Sequence, residues 1–252
     1  MPFLLWERDK FILASTGTWC VFMYPGSEFN PDRRDMDRDI LYYIDVYGRP
    51  VKSARFKCGY EFEYYADVIK ERFNVDPLRI PFDEDVAARV IREKTAYVIP
   101  TLTLGTGQFP RSKGRIVDER GFFRDPVTAY HVLNLSLAAQ TYFALSMLTR
   151  DESGLRILVQ GGFAKNIHYL RFLATLMPNN QIVYYRYAEA TSLGAALVGK
   201  TILEEKSLKD LDVDLPQLEG ISVEGLNVDD EYVKDYLRSF RELCEGGDSV
   251  SS

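Results

Sequence analysis

Residues 11 to 26, FILASTGTWCVFMYPG, place Ser15, Thr16, Gly17 and Thr18 at a turn between two apolar runs. Hydroxyls and unobstructed backbone N–H groups at such a turn are donors, and donors gathered at one tip can hold an anion. Gly17 accepts backbone angles closed to other residues, so an ordinary hairpin turn accounts for the same residues, and the chemistry needs support from elsewhere in the chain. A second stretch, LVQGGFAKN (158–166), sets Gly161 and Gly162 after an apolar run and before a helical pattern. Bare backbone there admits close approach of a ligand, and a helix start adds free N–H groups and a positive dipole end. The dinucleotide fingerprint G-x-G-x-x-G is absent, and a tight strand-to-helix turn is the plain alternative.

Other candidates are weaker. LGTGQFPRSKG (104–114) has the composition of a phosphate loop without the Gly-Lys-Ser/Thr ending of a Walker motif. EATSLGAALVGK (189–200) lines Ala190, Leu193, Ala196 and Leu197 along one helical face, with Gly194 permitting close packing. His131 and His168 have no Ser, Cys or Asp at triad spacing and read as packing or surface residues. Cys20, Cys58 and Cys244 are far apart with no CxxC pair, which leaves no metal site to propose and fits a reducing compartment.

The chain has 252 residues, 46% hydrophobic and 27% charged, with a net charge of −6. That balance is globular and argues against a nucleic-acid or anionic-membrane surface, while phosphate ligands stay open to local backbone donors. The most apolar run, 132–148, is interrupted by Asn134, Ser136, Gln140 and Ser146 and reads as a buried core helix. The start, MPFLLWERDK, carries Glu7 and Asp9 and lacks a small-residue cleavage site, so a cytoplasmic location is expected.

Around these residues, the period of the apolar positions predicts strands at 40–46 and 51–57, a helix at 61–74, and a helix at 83–94 capped by Asp83. YVIPTLTL then leads into a glycine-rich loop, 105–115. Asp125-Pro126 opens a long helix to 149, a cap followed by proline at the first helical position. Strand 155–160, helix 164–177, strand 181–187 and helix 189–205 follow in βαβ rhythm, which requires a parallel sheet. Residues 206–245 are expected as an acidic connector and a terminal helix from 230 to 244, and 246–252 as a disordered tail.

Taken in order, the S-T-G-T-W hairpin, the G-x-G-x-F-P loop, the strand ending in G-G-x-x-x-N and the E-A-T-x-L-G-A-A helix resemble the C-terminal half of FGGY-family carbohydrate kinases. The resemblance runs from about residue 10 to 205 and implies an α/β ribonuclease-H-like lobe of the actin-like ATPase superfamily, with a mixed sheet and flanking helices, over 1–205. It further implies ATP and Mg2+ as cofactors and a sugar as substrate. Thr16, Gly17 and Thr18 then resemble the second phosphate-binding hairpin, Gly161 and Gly162 the adenosine motif, and Asn166 its asparagine. Trp19 is similar to the rhamnulokinase and fuculokinase branch, which implies a ketose or deoxyketose. Phe163 departs from the pattern, where a small residue beside the adenine is usual.

No Asp-x-Gly-Thr/Ser loop followed by a helical pattern occurs, and the family's catalytic Asp is expected just upstream of Met1, so no catalytic residue is assigned in this chain. Asp9 is the nearest substitute. The chain is therefore expected to be the nucleotide-binding half of a kinase, with most sugar contacts on an N-terminal lobe. An apolar patch is expected over residues 1–6 where that lobe would sit, favouring a homo-oligomer. A non-catalytic kinase remnant serving as an interaction module is the open alternative, and an actin-like ATPase of another branch the third.

Overall fold

The computed structural model describes residues 3–6, 10–150, 152–186, 190–213 and 219–246. In chain order its elements are α1 (Phe3–Trp6), β1 (Phe11–Thr16), β2 (Cys20–Pro25), β3 (Ile40–Ile44), β4 (Pro50–Phe56), α2 (Cys58–Phe73), α3 (Glu84–Glu93), β5 (Tyr97–Ile99), β6 (Arg115–Val117), α4 (Glu119–Phe122), α5 (Pro126–Thr149), β7 (Arg156–Gly161), α6 (Ile167–Leu176), β8 (Gln181–Tyr184), α7 (Ala190–Glu204), β9 (Ile221–Ser222) and α8 (Asp230–Glu245).

Among the described residues the main sheet runs β3-β4-β2-β1-β7-β8-β9, and β5 and β6 form a separate antiparallel ribbon. β1 pairs parallel with β7, and β7 parallel with β8, while the flanking pairs are antiparallel. The sheet is mixed, as the sequence predicts. Apolar residues alternate through the central strands: Ile12, Ala14, Ile157 and Val159 face a large core with α2, α3, α5, α6 and α8. Phe11, Leu13 and Leu158 face the other way, against Phe3 of α1 and Ala190 of α7. A strand buried on both faces has no polar side to show, which is why β1 and β7 read as continuous apolar runs.

α5 is the centre of the larger core, with 19 of its 24 residues buried. Asp125 caps it by accepting from the Thr128 N–H at 2.7 Å. Three of its polar side chains are satisfied: Asn134 donates to the Tyr130 carbonyl, Thr141 to that of Leu137, and Ser136 accepts from the Val98 N–H, while the buried Gln140 Oε1 has no partner. α5 is long and apolar enough to cross a membrane, yet 83% of its most apolar window is buried inside the protein.

Several boundaries differ from the expected ones. α2 begins at Cys58 rather than 61, because Gly59 lets the helix start against the hairpin tip. β3 stops at Ile44, where the Asp45 side chain accepts from the Tyr47 and Arg49 N–H groups and turns the chain. α6 begins at Ile167 after a 3-10 turn over Gly162–Lys165. Residues 187 and 189, expected in strand and helix, lie outside the described residues. β5, β6 and β9 carry no expectation from the sequence. The apolar patch expected over 1–6 is not found at Phe3, which is 1% exposed and packs edge-on to Tyr185 at 5.1 Å. Leu4 is half-buried against the same cluster, while the side chains of Leu5 and Trp6, together with Met1, Pro2 and Asp9, lie outside the described residues.

Candidate functional site

The parallel pairing of β1 with β7 sets Thr16 beside Gly161, so the hairpin tip and the Gly-Gly turn meet although 145 residues separate them. Thr16 joins them: its hydroxyl donates to the Gln160 carbonyl and accepts from the Phe163 N–H at 3.0 Å. That hydroxyl is therefore committed to the fold, and Thr16 is buried. Gly161 holds φ +89°, and a Cβ there would collide with the Thr16 carbonyl oxygen. Only glycine fits.

Gly17, Thr18 and Gly162 are exposed. They line one side of a cleft of about 650 Å³, together with Gly59, Lys165 and Asn166. A Cβ on Gly162 would meet nothing closer than the Thr16 carbonyl at 3.8 Å, and one on Gly17 only the Trp19 carbonyl at 3.9 Å. Both glycines thus face open space. The N-terminus of α2 abuts the tip: the Tyr60 N–H donates to the Thr18 carbonyl at 3.3 Å, and a Cβ on Gly59 would collide with the Gly17 carbonyl.

The other walls are apolar and aromatic, formed by Phe62, Phe82, Tyr130, Phe163 and Ile167. Phe163 stands edge-on to Phe62 at 5.3 Å and to Tyr169 at 4.8 Å. It is buried and fixed in the cleft floor. Asn166 caps α6 by accepting from the Tyr169 N–H at 3.2 Å, and its amide donates to Asn134 Oδ1 at 2.7 Å. Trp19 points away into a basic cluster, under the Arg55 guanidinium at 4.9 Å and the Lys57 ammonium at 5.4 Å.

His168 lines the cleft and is buried. Burial first, then the neighbouring His131, lowers its pKa to about 4, so it is neutral at physiological pH. His131, also lowered by burial, donates through Nδ1 to the Val127 carbonyl and accepts the Asp83 N–H at Nε2. Both histidines are core residues, and one also faces the cleft.

The structure thus brings all six sequence-nominated residues to one place. Gly17, Thr18, Gly162 and Asn166 line the cleft; Thr16 and Gly161 hold its wall together. Gly59, Phe82, Tyr130 and Lys165 were missed. Gly59 alone carried a local signal, a glycine in the short stretch between a strand and a helical pattern; the others reach the cleft through packing. A polar backbone tip facing an aromatic slot suits a ligand with an anionic end and a flat apolar end. Among the described residues no group of three or more His, Cys, Asp or Glu side chains could hold a metal ion.

Comparison with known proteins gives the same geometry a family. No curated protein matches the chain. Among solved structures, a carbohydrate kinase from Novosphingobium aromaticivorans is 25% identical with a TM-score of 0.68, over 94% of this chain and 46% of that one. Gluconate kinase from Lactobacillus acidophilus is 16% identical with a TM-score of 0.69, over 93% and 46%. Plasmodium falciparum glycerol kinase with ADP is 15% identical with a TM-score of 0.61, over 96% and 47%. The chain spans about half the length of these proteins and shares their actin-like ATPase fold. The sequence profile described as "Carbohydrate kinase FGGY, C-terminal domain" matches residues 8–207, and the chain belongs to that family.

Proposed function

We propose that this chain supplies the nucleotide side of a sugar kinase, holding ATP in the 650 Å³ cleft between the hairpin tip and the start of α6. The observation that carries this reading is the open space in front of Gly17, Thr18 and Gly162, which share one wall of the cleft, with an aromatic slot beyond. Phosphates fit the tip at the exposed Thr18, since the Gly17 N–H is held by the Trp19 carbonyl at 3.1 Å, and the adenosine fits against Gly162 and the Phe82, Tyr130 and Phe163 wall. ATP would supply the phosphoryl group. Phe163 forms the floor of the slot rather than crowding it, since its ring is already packed against Phe62 and Tyr169. Mg2+ would enter on the nucleotide phosphates, because no ligand cluster occurs among the described residues. The sugar contacts and the base that takes the hydroxyl proton belong to a partner lobe in this reading. Ketoses and deoxyketoses such as rhamnulose and fuculose are the first substrates to test, on the strength of the S-T-G-T-W hairpin.

A second reading has one observation in its favour. The hydroxyl of Thr16, the amide of Asn166 and the glycine at 161 each have a folding role independent of any ligand. Their presence is therefore also what a non-catalytic remnant would retain.

Calorimetric titration with ATP separates the two. The chain should bind ATP weakly, because only one side of the nucleotide is enclosed. Gly162→Val fills the open face without touching the core and should weaken binding by about tenfold or more, roughly 1.4 kcal/mol. No heat at ten-millimolar ATP, with the chain folded by circular dichroism, would favour the remnant.

A further inference from the structure

A second recess lies at the other end of the sheet and shares no lining residue with the nucleotide cleft. It is formed by the loop after β2, the loop before β6, and the C-terminal ends of α5 and α8. Two cavities of about 560 and 540 Å³ adjoin there, with Arg34, Arg38, Gln108, Phe109 and Glu245 common to both. Although the protein carries a net charge of −6, this recess gathers seven cationic side chains against four acids.

The acids do not cancel that charge. Asp32 is paired with Arg34 at 2.7 Å, and Asp35 with the buried Lys52 at 3.1 Å. Among the described residues, the Arg38 and Arg111 guanidiniums have no ion-pair partner, and Arg241 has only the Phe143 ring at 4.9 Å. Asp37 and Glu245 are the acids left to face them.

The recess is built as well as charged. Gln108 is 1% exposed and lines both cavities. Its amide Nε2 donates to the Arg38 and Arg55 carbonyls, which fixes the Arg38 backbone and leaves Oε1 without a partner. Ser112, also 1% exposed, lines the second cavity with its hydroxyl unpartnered. Burying two unmatched polar groups costs stability unless a ligand meets them. A carboxamide oxygen accepts, so it calls for a hydroxyl or amine; guanidiniums that present paired N–H groups call for a phosphate or carboxylate.

We infer that this recess is a binding site for a small phosphate monoester bearing hydroxyl groups, with the arginines on the phosphate and Gln108 and Ser112 on the hydroxyls. The cavity volumes suit one metabolite-sized ligand rather than a polymer. The inference rests on the recess alone and stands whether or not the cleft binds ATP.

Calorimetry of the full chain with glycerol 3-phosphate, inorganic phosphate and glycerol tests it. Glycerol 3-phosphate should bind at least about fivefold more tightly than inorganic phosphate, and glycerol should not bind. Arg38→Ala with Arg241→Ala should weaken binding at least about tenfold. Arg241→Ala alone, on an exposed position, should give a smaller loss should the double variant fail to fold. Gly162→Val should leave binding unchanged. Equal affinity for phosphate and ester would mean an adventitious ion only and overturn the site, as would no binding at ten-millimolar ligand. Loss of binding in Gly162→Val would assign the ester to the nucleotide cleft instead. A single-stranded oligonucleotide that displaced the ester would overturn the metabolite assignment.

Discussion

Thr16 shows how one hydroxyl can decide whether two distant loops form one wall. Valine has the same shape and no hydroxyl, so Thr16→Val would strand the Phe163 N–H and the bond to Gln160 together. The variant should lose about 1–3 kcal/mol in urea unfolding, and Thr16→Ser should recover most of it. Glu61 presents the opposite case, a charge where burial does not favour one. Burial raises its pKa to about 7, although the Thr101 and Leu102 N–H groups pull the other way. Between about pH 4.5 and 7 the folded chain holds a proton that the unfolded chain has released, so stability from this residue falls as pH rises and levels off above 7. Unfolding of Glu61→Gln, compared with the parent at pH 5 and pH 8, should therefore show a relative gain of about 2.5 kcal/mol at the higher pH. At this scale the sequence picked out residues that the fold gathers at one cleft, while what their polar atoms do there was not legible. Thr16 and Asn166 were legible as polar groups beside glycines. That their polar atoms face inward follows from β1 pairing with β7 and from Asn134 on α5, neither of which is local.

Elements were legible where length and caps agreed. α5 and α8 follow their expected spans within one residue, and α3 starts after the Asp83 cap that the sequence predicts. Asp125→Ala should accordingly cost about 1–2 kcal/mol of global stability, because α5 packs on most of the core and cannot fray alone. Thermal unfolding followed by circular dichroism measures it, and Asp125→Asn, which keeps an acceptor, should cost less. β5 and β6 have three residues each and β9 has two, too short for any alternation to register. They exist because their partners offer open edges: β9 pairs with β8, and β5 with β6 beneath the Tyr97–Tyr236 stack at 5.0 Å. The start of α2 was misplaced for a related reason. Lys57 gives no side-chain cap, and what fixes the first turn is the Thr18 carbonyl across the gap.

At the scale of the whole molecule, the proposed function makes this chain one wall of a two-walled reaction site. Phosphoryl transfer needs the attacking hydroxyl, its base and the phosphate held in line, and positioning supplies most of the rate. The purified chain should therefore show no turnover with rhamnulose, fuculose, xylulose, ribulose or gluconate in a coupled ADP assay, and robust turnover would overturn the division of labour proposed above. The same β1–β7 pairing that builds the cleft wall also sets a schedule for the nascent chain. Phe11 is aligned with Arg156, so β1 leaves the ribosome long before its parallel neighbour exists. At translation rates of about 5–20 residues per second, the gap is roughly 7–30 seconds. During it β1 can pair with β2, β2 with β4, and α2, α3 and α5 can cover the Ile12 and Ala14 face as they emerge, but one edge of β1 stays unpaired and its Phe11 and Leu13 face still lacks Leu158 and Ala190. The element that makes the site is thus the last of the early strands to be sheltered, and the interval before β7 arrives is when this protein most needs a chaperone.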